Sequence, residues 1–375
     1  MDTAAGLTSA MLLYITAEDV FGSGTPERRG PRPLHTIPET LTGLVDLGLR
    51  HHVRAAAMAW WTDGAFVPVP DWKLDRLAIR LALYGRERLG LEPGERLVVM
   101  GRLGWLWPAL DFAAMGFGVV PVGLEHDLSD DDIVLACTEA APRAAFATDP
   151  ESAERLARLR QTGRLGAATV VGEGLGEQDG VLPLARLMDL GAILDTPERA
   201  QAFRAYSRQV ASASPALWHA GKHGIVRLTH QAAMATTAPL LRARPAQAGD
   251  VAYLDGPRVT LSRRLALAAF VGDGYTTTAL GREGRAAEDV AALRPHTVLA
   301  SEPWVEALCG DRGPRWPAGL DRRWARRRVQ EAFGGRLRVV EASAPLASDT
   351  IRALAAAGVA LDVRNGDGRA PSSVN

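Results

Sequence analysis

Apolar residues recur at helical spacing from Leu74 to Leu89, Gly90 stops the run, and the turn residues Glu92, Pro93, Gly94 and Glu95 lead into Arg96 to Met100, a short buried-strand pattern. The same spacing predicts a helix over Trp105 to Met115, a strand over Gly116 to Val122, a helix over Ser129 to Glu139 and a strand over Ala144 to Ala147. A second block runs from Ala216 to about Val363, with strand patterns at Val251 to Leu254, Tyr275 to Leu280, Thr297 to Ala300 and Leu337 to Glu341. Helices and strands alternating at such short spacing predict an α/β fold with doubly wound parallel sheets. We expect two such subdomains, 34–215 and 216–363, with the Gly-rich acidic stretch Gly172 to Gly180 as a surface loop near the boundary. Residues 1–33 contain FGSGTPERRGPRP and read as a flexible leader, and the small polar residues 364–375 as a disordered tail. There is no repeat of solenoid length.

Composition narrows the function classes. The chain has 375 residues, 47% hydrophobic and 23% charged, enough for a sizeable core. Its 43 basic and 43 acidic residues cancel, so no global field draws in nucleic acid or an anionic membrane, and small molecules or proteins are the expected partners. Two cysteines, Cys137 and Cys309, are too few for a disulfide framework. Both lie in apolar helical contexts as small hydrophobes, and a bond between them is not required. Met1 to Val20 carries no basic residue and is no secretory signal. No apolar run approaches the roughly 20 residues a bilayer demands. The expected location is the cytoplasm. Lys73 and Lys222 are the only lysines, so chemistry that needs one has two candidates.

Residues 71–133, with LGLEPGERLVVMGRLGWLWPALDFAAMGFGVVPVGLEHDLSDDDI at 89–133, resemble the acyl-adenylating superfamily, above all its AMP-forming long-chain acyl-CoA synthetases. Two later stretches follow the family in the same order: EDVAALRPHTVLASEPWVEAL at 288–308 and LRVVEASAPLASDTIRALAAAGVA at 337–360. The resemblance implies the fold of the adenylating-enzyme N-terminal domain, without the C-terminal lid domain.

In that family a loop of the form [ST]-S-G-[ST]-T-G-x-P-K-G wraps the ATP phosphates. Glycines let backbone N–H groups approach the anion, hydroxyls add donors and a lysine neutralises charge. The corresponding stretch is Trp218 to His230, anchored by the shared Leu228, Thr229 and His230. Gly221 and Gly224 persist, Ala220, Lys222 and His223 stand at hydroxyl positions, and the Pro-Lys-Gly step is deleted. The phosphate-loop remnant is therefore Gly221, Lys222, His223, Gly224, Arg227 and Thr229, and we expect the two glycines in a loop joining a strand to a helix. The alternative is a plain surface turn. Three histidines, His219, His223 and His230, lie near one another, but Gly221 and Gly224 argue against the helix that would make them metal ligands.

The family's Tyr-Gly-x-Thr-Glu, whose glutamate holds Mg²⁺, has only Asn365, Gly366 and Asp367 in its place, in the polar tail. The lid lysine has no counterpart, since no lysine follows Lys222. The adenine-side Gly-Gly-Ala-Pro becomes Ala342, Ser343, Ala344 and Pro345, and the acyl-pocket segment becomes Leu254 to Arg258, without its histidine. Every departure falls on a ligand position. Arg322, Arg323, Arg326, Arg327 and Arg328 form a basic helix with Trp324 that reads as a solvated face. Ser301 to Trp304 ends a strand and starts a helix.

What the resemblance implies is a degenerate, AMP-binding, acyl-CoA synthetase-like protein with no assignable catalytic residue and no metal site, keeping a ligand groove or a partner surface. The alternative is an active AMP-forming acyl-CoA ligase in fatty acid metabolism, completed by a partner chain. A third reading is a different ligase or nucleotide-binding protein that shares only the sheet architecture. ATP or AMP and Mg²⁺ are the cofactors only if activity is retained. A fatty acyl ligand and a protein partner or self-association are the expected contacts, with no nucleic acid and no membrane span.

Overall fold

The computed structural model describes residues 37–50, 54–178, 180–222, 224–243, 246–256, 258–301, 305, 327, 329–342 and 348–363. The leader and the tail lie outside them, as do His223, Ser343, Ala344, Pro345 and most of the basic helix.

The chain opens with α1 (Leu41–Arg50), the hairpin β1 (Met58–Thr62) and β2 (Ala65–Val69), and α2 (Asp71–Leu89). An alternating run follows: β3 (Arg96–Met100), α3 (Leu106–Gly116), β4 (Val120–Leu124), α4 (Asp130–Ala140), β5 (Ala144–Ala147), α5 (Pro150–Gln161), β6 (Thr169–Gly172) and β7 (Val181–Pro183). Helices α6 (Leu184–Leu194) and α7 (Pro197–Ser207) lead to β8 (Pro215–Gly221), β9 (Gly224–Thr229) and α8 (His230–Ala243). The last part comprises β10 (Asp250–Leu254), α9 (Leu261–Gly272), β11 (Thr276–Leu280), α10 (Ala286–Leu293), β12 (Thr297–Ala300), β13 (Val339–Ala342), α11 (Ser348–Ala356) and β14 (Ala360–Val363).

Local chemistry sets the boundaries. Ser129, Asp149, Thr196 and Thr260 each accept a hydrogen bond from the backbone N–H three residues on, capping α4, α5, α7 and α9. Gly90 ends α2 in the left-handed conformation, φ 63°, that glycine adopts without strain. Strands β4, β5, β10, β11 and β12 are buried along their whole length, as expected of parallel strands covered on both faces.

The strands form two seven-stranded sheets, in the orders β7-β6-β5-β3-β4-β8-β9 and β14-β13-β12-β10-β11-β1-β2. All pairings are parallel except the hairpins β8–β9 and β1–β2, each on a sheet edge. Sheet membership does not follow a division between 215 and 216. The early hairpin β1–β2 joins the second sheet by pairing Met58 with Thr278, and β8–β9 joins the first by pairing Val122 with Trp218. Pairing beside a distant strand buries each hairpin's apolar face, and sequence proximity does not decide it.

Helix α9 is buried at every residue. It lies in one apolar cluster with Val99, Phe146 and Leu217 of the first sheet and Leu254, Leu280 and Leu299 of the second. Two buried ion pairs stand within this core. Arg264 of α9 donates from Nε and Nη2 to Asp111 of α3, at 2.9 and 2.7 Å, and from Nη1 to the Trp218 carbonyl at 2.7 Å. Arg54 pairs with Asp71 and donates to the carbonyls of Phe270, Val271 and Thr276. Gly123 makes room for the first pair, since a Cβ there would lie 2.5 Å from Arg264 Nη1. Among the described residues no helix is long and apolar enough to cross a membrane.

Candidate functional site

Open α/β sheets place ligands outside the carboxyl ends of their strands. In the first sheet this edge holds the remnant of the phosphate loop, and its conformation corrects the expected one. Gly221 pairs with Gly224 across the antiparallel β8–β9 ladder, so two residues remain for the turn. The glycines lie at the tip of a β-hairpin, with Gly224 at φ 100°, and the helix begins only at His230. With two residues between two β-branched and aromatic runs, a tight hairpin is the connection the chain can make.

The side chains around the tip neutralise one another. Lys222 Nζ lies 3.0 Å from Asp127 Oδ2, and Arg258 Nη2 lies 2.7 Å from the same oxygen. Burial pushes the Asp127 carboxyl up, but the hydrogen bond and charge of Lys222 and the charge of Arg258 outweigh it, and the net shift is down. Glu125 lies against Gly221, where a Cβ would meet its Oε1 at 2.7 Å, and its Oε1 is 3.3 Å from His219 Nε2. Burial, helped by the charge of Arg264, pulls His219 below its usual value and outweighs Glu125, so the ring is neutral at pH 7. Lys222 and Arg258 thus share the one carboxylate of Asp127, while Glu125 faces the neutral His219, so both cations at the tip already have an acidic partner.

The remaining remnant residues are occupied elsewhere. Arg227 pairs with Glu139 of α4 and stacks over Trp218, 4.7 Å from the ring centroid. Thr229 Oγ1 accepts from the Ala232 N–H at 3.1 Å and caps α8. His230 is fully buried and neither ring nitrogen has a partner among the described residues; burial holds it down at about 4. On the adenine side, Ala342 is buried at the end of β13, paired with Ala300 and Val363. Cys137 is buried, and burial pushes its thiol up to about 12. Among the described residues no group of three or more His, Cys, Asp or Glu is arranged to hold a metal ion.

The second sheet presents Asp255 beyond β10 and Ser301 beyond β12. Ser301 Oγ donates to Asp255 Oδ2 at 3.2 Å. Burial raises the Asp255 carboxyl, against the lowering by Arg263 and Ser301. Sequence reasoning named the segment Leu254 to Arg258 only for the histidine it lacks. The opposite charges at Asp255 and Arg258, directly after a buried strand, were the signal available. Glu125 and Asp127 were not singled out, because their partners lie about a hundred residues away.

The family model for AMP-binding enzyme matches residues 73–202. No curated protein matches the chain. Among solved structures the chain is similar to a protein assigned as a long-chain-fatty-acid CoA ligase from Rhodopseudomonas palustris, at 16% identity over 86% of this chain and 74% of that one, TM-score 0.65. It is also similar to the A-PCP didomain of carboxylic acid reductase from Segniliparus rugosus in complex with AMP, at 16% identity over 86% of this chain and 51% of that one, TM-score 0.62. A third similar structure is a Mycobacterium tuberculosis fatty acyl CoA synthetase, at 14% identity, 86% and 58% coverage and TM-score 0.61. The two seven-stranded sheets are those of the adenylating-enzyme N-terminal domain.

Proposed function

We infer that this chain, a member of the AMP-binding, acyl-adenylating superfamily, is a non-catalytic relative that keeps a ligand groove and does not adenylate. The observation that carries this reading is the hairpin tip. Adenylation develops negative charge on the α-phosphate and the departing pyrophosphate, and a phosphate loop meets that charge with preorganised N–H groups, hydroxyls and a lysine. A two-residue turn has neither the backbone length nor the hydroxyls to surround a triphosphate, and its lysine is matched by Asp127. Losing two charge-assisted donors at about 1.5–3 kcal/mol each weakens triphosphate binding by roughly 10²–10⁴.

The test is pyrophosphate release from ATP·Mg²⁺ with a panel of fatty acids. We expect none above background from the wild type. Turnover that disappears in Lys222→Ala would restore the alternative, an active AMP-forming acyl-CoA ligase.

A further inference from the structure

Just beyond their carboxyl ends, adjacent strands of one sheet reach adjacent strands of the other. Arg258, after β10, meets Asp127, after β4, at 2.7 Å, and Arg102, after β3, meets Glu283, after β11, at 3.0 Å. Strands β3 and β4 are neighbours in the first sheet, as β10 and β11 are in the second, so the two ion pairs span the mouth between the sheets in parallel. Trp60 of β1, in register with Leu280 of β11, adds an aromatic contact to Trp105 of the β3–α3 loop, ring centroids 6.0 Å apart.

The backbone behind these side chains is held from its own sheet. Arg263 donates from Nη1 to the Arg258 carbonyl at 2.9 Å, and the Arg102 N–H donates to Asp149 at 2.7 Å. The first-sheet charge of each pair also has a second partner on its own side. Glu151 stands 3.9 Å from Arg102 Nη2, and Lys222 stands 3.0 Å from Asp127. Parting the pairs leaves Arg102 beside Glu151 and Asp127 beside Lys222, while Arg258 and Glu283, 62% and 71% exposed, pass to water. No charge is stranded by opening, so separation of the rim costs little.

Deeper in the molecule the fastening is of another kind. Arg264 of α9 and Asp111 of α3, 0% and 7% exposed, are paired at 2.7 Å, and breaking them would strand a buried charge. Salt screens exposed pairs and hardly reaches a buried one. The rim can therefore let go while α9 remains seated between the sheets.

We propose that Arg258–Asp127 and Arg102–Glu283 form a strap across the mouth between the two sheets, which releases as one unit about α9 as a fixed hinge. The proposal rests on the reading that the chain keeps a ligand groove, and it makes passage through that mouth depend on ionic strength.

The experiment is hydrogen exchange read by mass spectrometry on the full chain, without ligand, at about 20 mM and about 500 mM sodium chloride. Wild type, Asp127→Asn, Glu283→Gln and the double variant are compared at the amides of 102–105, of 258–260 and of α9. We expect Asp127→Asn to speed exchange at 102–105, and Glu283→Gln at 258–260, each by about two- to fivefold, although the pair removed lies at the other end of the strap. The double variant should show about the product of the two effects. High salt should speed both segments in the wild type and have little further effect on the double variant, with α9 unchanged throughout. Exchange that rises only beside the substituted residue, no salt effect on the wild type, or α9 opening together with the rim would each overturn the proposal. With no ATP or acid present, this outcome is independent of pyrophosphate release, which alone tests the non-catalytic reading.

Discussion

The two sheets are built to one plan and end in different chemistry. Each has seven strands, a central strand at which the order reverses, β3 or β10, and an antiparallel hairpin on one edge. In the first sheet the carboxyl ends are closed by the chain itself. Asp149 beyond β5 accepts the N–H of Arg102 beyond β3 at 2.7 Å while capping α5, and Thr148 Oγ1 donates to the Arg102 carbonyl at 2.9 Å. At the hairpin tip beside them Asp127 pairs with both Lys222 and Arg258. In the second sheet the strand ends are bridged by Ser301 donating to Asp255 and by the Asp255 N–H donating to the Leu299 carbonyl, and beside them the buried Arg263 donates to the Arg258 carbonyl and forms no ion pair among the described residues. In both sheets central strands are buried along their whole length, so packing has been kept where the ligand chemistry at the strand ends has changed.

The sharpest way to break this picture is to strike the core between the sheets. Arg264→Ala leaves Asp111 buried without its counter-charge, and we expect a loss of about 3–5 kcal/mol in urea unfolding. Replacing both residues by apolar ones of similar size should recover most of it. A loss below about 1 kcal/mol would mean that α9 does not tie the two sheets together.

The next effect is pH dependence from His230. Its folded value, about 4, lies below the ordinary 6.5, so the unfolded chain takes up a proton at higher pH than the folded one. Stability from this group is therefore present above pH 6.5 and falls as pH drops toward 4, by up to about 3 kcal/mol. His219 is shifted in the same direction. His230→Leu should flatten the difference between pH 7 and pH 4.5, and an unchanged slope would place the titration elsewhere.

The smallest effect belongs to the hairpin tip. Lys222 is exposed and its pair with Asp127 lies at the surface, so Lys222→Ala should change stability by less than about 1 kcal/mol. A larger loss would make the tip part of the structural frame and not a vestige of ligand chemistry.

Much of the frame is legible in the sequence. Strands β3, β5 and β12 coincide with short apolar runs marked off by turn residues, and they begin and end where the pattern does. The two hairpins are what local reading missed. Asp63 and Gly64, with φ of 49° and 85°, form the two-residue turn between β1 and β2, and an Asp-Gly pair between alternating strands is a strong hairpin signal. At β8–β9 the family's longer loop led to the expectation of a strand followed by a helix, although two short apolar runs, Leu217 to Ala220 and Ile225 to Leu228, already flanked a short Gly-containing turn. The site is less legible. Asp127 meets Lys222 and Arg258 from far along the chain, and the pairing of β4 with β8 is what brings Asp127 to the hairpin tip.

A non-catalytic relative has a hairpin tip that does not hold a triphosphate. Calorimetric titration of ATP·Mg²⁺ into the wild type and into Asp127→Asn, which frees Lys222 and Arg258 from their shared counter-charge, tests it most directly. We expect no saturable binding to the wild type below about 1 mM, and measurable, salt-sensitive binding only in Asp127→Asn. Micromolar binding to the wild type, lost in Lys222→Ala, would contradict it.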